Sequence, residues 1–111
     1  MSNNVEASVR EIARECHRCA TEKGWYDRDR NPLELIALIH SELSEVLEAF
    51  RNGNPPDEYC PGFSNAEIEY ADAIIRIFDA CEHHSFDIAG ALIVKMRYNW
   101  TREIRHGDKK F

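Results

Sequence analysis

The chain contains no long apolar run. Its hydrophobic residues, 43% of 111, are broken into stretches of a few, too short to cross a bilayer. Its first ten residues, MSNNVEASVR, lack the basic-then-apolar pattern of a secretory signal, so a cytoplasmic location is expected. Positive charge is also in short supply. A net charge of −6 argues against a general nucleic-acid binder or a membrane-surface protein, either of which needs a dominant basic patch, although a local patch remains open. No segment alternates polar and apolar residues between hairpin turns, which excludes a sheet as the organising element. Cysteine is sparse and poorly placed for zinc. Cys16 and Cys19 form a C-x-x-C, but Cys60 and Cys81 lie far apart and supply no second pair. The same spacing fits one face of a helix, where thiols behave as small hydrophobes. Without a secretory signal, disulfides are not expected.

What remains is one chain of single-domain length, with charged residues at 31% and enough apolar content to fold. Glycine and proline fall at a few places and divide it into four helical segments. Val5, Val9, Ile12, Ala13, Cys16 and Ala20 recur at helical spacing from about Val5 to Lys23, and Gly24 stops that helix. A polar loop, WYDRDRN, follows. Asn31-Pro32-Leu33-Glu34 combines a capping residue, a first-turn proline and a capping-box acid, and the second helix runs through Phe50. The segment NPPDEYCPGF is predicted to be a mobile surface loop. Ser64-Asn65-Ala66-Glu67 opens a third helix to about Glu82, with Ile68, Ala71, Ile75 and Phe78 as its apolar face. Ser85 or Asp87 caps a fourth, from about Ile88 to Ile104. The predicted class is all-α, a four-helix-type bundle.

Two helices carry acids where apolar residues belong. At 100° per residue, Ile36, Ile39, Leu43, Val46 and Phe50 form a stripe that Leu35, Leu38 and Ala49 widen. Glu42 falls inside the widened arc and Glu45 at its edge, whereas Glu48 has turned to the polar face. On the third helix Glu69 and Asp72, three residues apart, are surface neighbours beside Ile68. If the two helices pack antiparallel, these four carboxylates converge. Two unit charges about 4 Å apart repel by about 4 kcal/mol at an effective dielectric of 20, so such a cluster needs a cation or protons. All-oxygen ligands favour a hard ion. Mg²⁺, with Mn²⁺ as a substitute, suits them better than a di-iron pair, which would want Glu-x-x-His. The plainer alternative is a solvated acidic face.

These motifs resemble those of the MazG-like, all-α nucleoside triphosphate pyrophosphohydrolases, whose signature is E-E-x-x-E on one helix and E-x-x-D on the next. The chain offers S-E-L-S-E at Ser41 to Glu45 and E-Y-A-D at Glu69 to Asp72. Ser41 replaces the first glutamate, as in the dCTPase-like branch, where two acids on each helix suffice. K-M-R-Y-N-W-T-R at Lys95 to Arg102 is similar to the family's last-helix pattern, and the ending HGDKKF to the tails of small members; the likeness spans roughly residues 31 to 111. The resemblance implies hydrolysis of a nucleoside or deoxynucleoside triphosphate to a monophosphate and pyrophosphate, in nucleotide-pool house-cleaning. It also implies a homo-oligomer, dimer or tetramer, that completes the bundle, with Glu42, Glu45, Glu69 and Asp72 as catalytic and metal-binding residues. Lys95, Asn99 and Arg102, which share a helical face, become phosphate ligands on the same ground. Which of these acids serves as general base stays open, with Glu45 one candidate.

Other residues stay open on sequence grounds. Trp25, Tyr26, His40 and Trp100 could contact a base or simply pack. His83 and His84 suit a helix end, where they complement the dipole or face solvent. Asp79 either supports the site from behind or forms an exposed ion pair with Arg76. Two other functions compete: a non-catalytic helical oligomerisation or partner-binding module, and a hydrolase of another pyrophosphate-linked metabolite.

Overall fold

A computed structural model describes residues 3–104. The described residues form four helices, α1 (Asn3–Glu22), α2 (Pro32–Arg51), α3 (Asn65–His83) and α4 (Ile88–Thr101), and no strand, so the all-α class holds. None of these helices is long and apolar enough to cross a membrane. The ending HGDKKF and the cations Arg105, Lys109 and Lys110 lie outside the described residues.

Local chemistry sets the helix ends. Asn31 accepts a hydrogen bond from Leu33 N at 2.8 Å with Pro32 in the first turn, and Ser64 and Glu67 form a reciprocal capping box. Asp87, not Ser85, caps α4 through Gly90 N at 3.0 Å. Gly24 and Gly53, at φ +88° and +82°, adopt the left-handed turn that lets the chain leave α1 and α2. The loop between α2 and α3 is far more tightly hydrogen-bonded than its prolines suggest. Asp57, buried within it, accepts from Tyr59 N, Cys60 N and Asn65 Nδ2, while Asn54 Oδ1 accepts from Ala66 N at 2.7 Å.

Helix α3 is central. α2 lies antiparallel along one side of it and α1 along another, while α4 rests chiefly on α1 and only lightly on α3. α2 forms no comparable seam with α1 or α4, so one chain does not close the expected bundle. The radius of gyration, 16.2 Å, exceeds the ~13 Å of a compact domain this long. The apolar core is correspondingly thin: Leu35, Val46 and Ile93 are buried with Ala13, Ala49, Ala66, Ala73 and Ala89.

The buried face is rotated from the predicted one. Leu35, Val46 and Ala49 face α3, while Ile36, Leu43 and Phe50 are about half exposed at 49%, 46% and 56%. On α3, Ala66 and Ala73 are buried, whereas Ala71 and Ile75 are exposed. Both helices carry apolar arcs that a single chain covers only in part: Leu35, Val46 and Ala49 on α2, and Ala66 and Ala73 on α3.

Candidate functional site

The rotation places Glu42 between Leu35 and Val46 on the covered side of α2, and Glu69 between Ala66 and Ala73 on α3. Small alanines at this seam allow the two backbones to approach. One oxygen each from Glu42, Glu69 and Asp72 therefore lies within 4.8 Å of the others. Glu42 and Glu69 are half-buried and Asp72 is exposed, so the triangle opens to solvent on one side. Glu45 stays exposed and outside it, and Glu48 pairs with Arg51 at 3.1 Å on the surface.

The electrostatics match this crowding. Burial, then the charges of Asp72 and Glu45, push the Glu69 carboxyl above its ordinary range. Burial, then Glu42, does the same to Asp72, with Arg76 acting in the opposite sense. Two polar groups reach the triangle from outside. Arg76 Nε donates to Glu42 Oε1 at 3.1 Å, and Asn65 Nδ2 bridges Asp57 Oδ1 at 3.0 Å and Glu69 Oε1 at 3.4 Å. Asn65 thereby ties the loop to one of the acids.

Beside the triangle, α1, α3 and the turn after α1 enclose a cleft of about 650 Å³. Glu42, Asp72 and Arg76 line it together with Glu15, Lys23 and Asp79, and Ile12, Cys16 and Ile75 supply apolar lining. Trp25 stands in its wall with the Arg76 guanidinium 3.9 Å from the ring centroid. Burial raises the Cys16 thiol, which stays a thiol, and no third ligand gathers with Cys16 and Cys19 among the described residues. That favours the hydrophobic reading of the C-x-x-C.

Asp79 corrects the sequence reading. It is 6% exposed and pairs not with Arg76 but with His17 Nδ1 and the Tyr26 hydroxyl, each at 2.8 Å. Burial and the bond to Asp79 raise the Tyr26 hydroxyl, keeping it a donor. His83, in the last turn of α3 as expected, stacks on Tyr26 with centroids 4.1 Å apart and is half-buried rather than plainly exposed. His40 is exposed and Trp100 is 88% exposed, away from the cleft.

The α4 residues are not brought to the acids within one chain. Lys95 and Arg102 lie over the Tyr98 ring at 4.6 and 5.6 Å, and neither lines the cleft. Asn99 is half-buried, and its Oδ1 has no hydrogen-bond partner among the described residues. Sequence reasoning missed the Arg76–Glu42 pair and the network of His17, Tyr26 and Asp79. Arg76 had a signal, since it stands one turn beyond Asp72 on the acid-bearing face; His17 and Tyr26 had none. Compared with family models, curated proteins and solved structures, the chain matches none.

Proposed function

We propose that the triangle of Glu42, Glu69 and Asp72 holds Mg²⁺ or Mn²⁺ and that the protein is a metal-dependent nucleoside triphosphate pyrophosphohydrolase. The observation that carries this reading is the convergence of three carboxylate oxygens within 4.8 Å, half shielded from water. All-oxygen donors with an open side suit a hard ion that keeps water and phosphate ligands, and a carboxyl held above its ordinary range marks charge awaiting compensation. When bound, the ion would neutralise charge developing on the phosphates.

The chain's own residues supply the rest. The cleft has the volume of a small-ligand site and could seat the nucleoside against its apolar wall, with the phosphates toward Arg76 and the acids. Water attacks the α-phosphorus, the new P–O bond forms, and the bond to the bridging oxygen breaks as pyrophosphate leaves. Glu45, outside the triangle but near enough for its charge to act on Glu69, is the carboxylate we assign to accept the water's proton.

Exposed Ile36, Leu43, Leu47 and Phe50 support assembly of copies into a homo-oligomer, which would cover α2's second face and could bring Lys95, Asn99 and Arg102 of a neighbouring copy toward the phosphates. The same exposed face supports the second reading, a helical association module without activity. A pyrophosphate-release screen over common NTPs and dNTPs, with Mg²⁺, Mn²⁺ or EDTA, separates the two: metal-dependent release from at least one triphosphate is expected, and silence across the panel favours the module. Product analysis on nucleotide sugars tests whether a related anhydride is cut instead.

Asn65 offers a finer check. Asn65→Ala removes the bridge from Asp57 to Glu69 and leaves that carboxylate unsteadied, so Mn²⁺ binding measured by calorimetry is expected to weaken about tenfold, the scale of losses when a ligand's supporting hydrogen bond is cut.

A further inference from the structure

Arg76 is held on two sides. Its Nε donates to Glu42 Oε1 at 3.1 Å, while its Cζ lies 3.9 Å above the Trp25 ring. The Trp25 backbone is itself anchored: Arg30 Nε donates to the Trp25 carbonyl at 2.6 Å, and Arg30 Nη1 pairs with Glu34 at 2.9 Å, while the Arg30 guanidinium lies 5.3 Å from the ring centroid. Arg76 also lines the cleft together with Glu42 and Asp72, and its side chain is 25% exposed. One of the two Glu42 oxygens is therefore already occupied by a cation, and that cation also lines the cleft.

We propose, resting on the metal-centre reading, that Arg76 is a charge-balancing and positioning residue that exchanges partners. Without a divalent ion it neutralises Glu42. When an ion takes that carboxylate, the guanidinium stays stacked on Trp25 and turns its donors to the phosphate chain of the ligand. The charges fit such an exchange. Three carboxylates, one divalent ion and one guanidinium balance to zero, so an incoming phosphate oxygen meets donors that no longer have a fixed partner. Guanidinium suits that role because its planar fork grips phosphate while its face rests on an aromatic ring. Trp25 limits the motion to a swing about the stacked position.

The exchange predicts effects of opposite sign from one substitution. Arg76→Met keeps the side-chain length but removes the charge and the donors. Mn²⁺ should bind this variant at least ~tenfold more tightly than wild type, because Arg76 no longer competes for Glu42 and its positive charge no longer repels the divalent ion. Inorganic tripolyphosphate, a probe without a base, should bind the Mg²⁺-loaded variant at least ~tenfold more weakly, as expected for loss of a hydrogen-bonded charge. Arg76→Lys keeps the charge and should hold Mn²⁺ within about threefold of wild type. A merely structural arginine would weaken both ligands together when replaced by methionine.

Mn²⁺ affinity is read from the free-ion paramagnetic resonance signal, with circular dichroism confirming the fold. Equal Mn²⁺ affinity in wild type and Arg76→Met overturns the exchange and leaves the metal centre standing. Absence of Mn²⁺ binding in both proteins overturns the metal centre as well.

Discussion

Glu69→Gln is expected to cut metal-dependent pyrophosphate release at least ~100-fold, since it removes a charged ligand from a site that has three. The same change should make the metal-free protein more stable. Glu69 sits half-buried beside Asp72, with Glu45 and Glu42 nearby, and its carboxyl is held above the ordinary range. The folded state therefore keeps the Glu69 proton to a higher pH than the unfolded chain does. Linkage then makes this residue's contribution least unfavourable below its unfolded pKa, and progressively more unfavourable as pH rises through the raised folded value. Other carboxyls, Glu34, Glu67 and Asp87 among them, are shifted downward and pull the whole-protein profile the opposite way. The difference between variant and wild type isolates Glu69. In EDTA that gap should be small in acid and open in favour of Glu69→Gln by a few degrees of melting temperature at neutral pH. Saturating Mg²⁺ should reverse the order, because the ion stabilises only the protein that retains the carboxylate. Melting curves across pH, with and without metal, provide the check. A Glu69→Gln protein that releases pyrophosphate at the wild-type rate would falsify the assigned site.

Asp79→Ala is expected to be the most destabilising of the substitutions considered. It removes the shared acceptor of His17 and Tyr26 from a buried position and leaves both half-buried groups without that partner. A buried donor stripped of its partner costs about 1–3 kcal/mol, so the pair should lose ~2–4 kcal/mol after partial relaxation. For a domain of this size, that lowers the melting temperature by ~10 °C or more. Asp79→Asn can still accept one of the two bonds and should recover part of the loss. Thermal denaturation followed by circular dichroism measures both. Because Tyr26 adjoins Trp25 in sequence, the alanine variant should also loosen the cleft wall, visible as a red-shifted tryptophan emission in Trp100→Phe.

The helices were readable from sequence because their ends are local. Asn31-Pro32, the Ser64–Glu67 box and Gly24 each act on the turn they touch, and each sits where expected. Glu42, Glu69 and Asp72 were readable for a related reason: spacing on a rod fixes which residues neighbour one another. What could not be read was which side of the rod is covered. Ile36 and Leu43 are as apolar as Leu35 and Val46, and only the placement of α3 decides between them. Glu45 fell to the open side by that rotation. The contacts of Asp79 with His17 and Tyr26 span 62 and 53 residues, and no local pattern announces them. The covalent stiffness of proline likewise said nothing of Asp57, whose buried carboxylate knots the loop from within.

Glu69, Asp72, Arg76 and Asp79 all project from α3 and occupy about 15 Å of its length. Two of the three acids, the Arg76 guanidinium and the buried acceptor for α1 and the Trp25 turn are thus set by the pitch of one rod. Adding or deleting a single residue between Asp72 and Asp79 would twist one half of this set about 100° away from the other. Length variation should therefore hardly be tolerated within those two turns of helix, nor in the turn after α1 that carries Trp25 and Tyr26 to them.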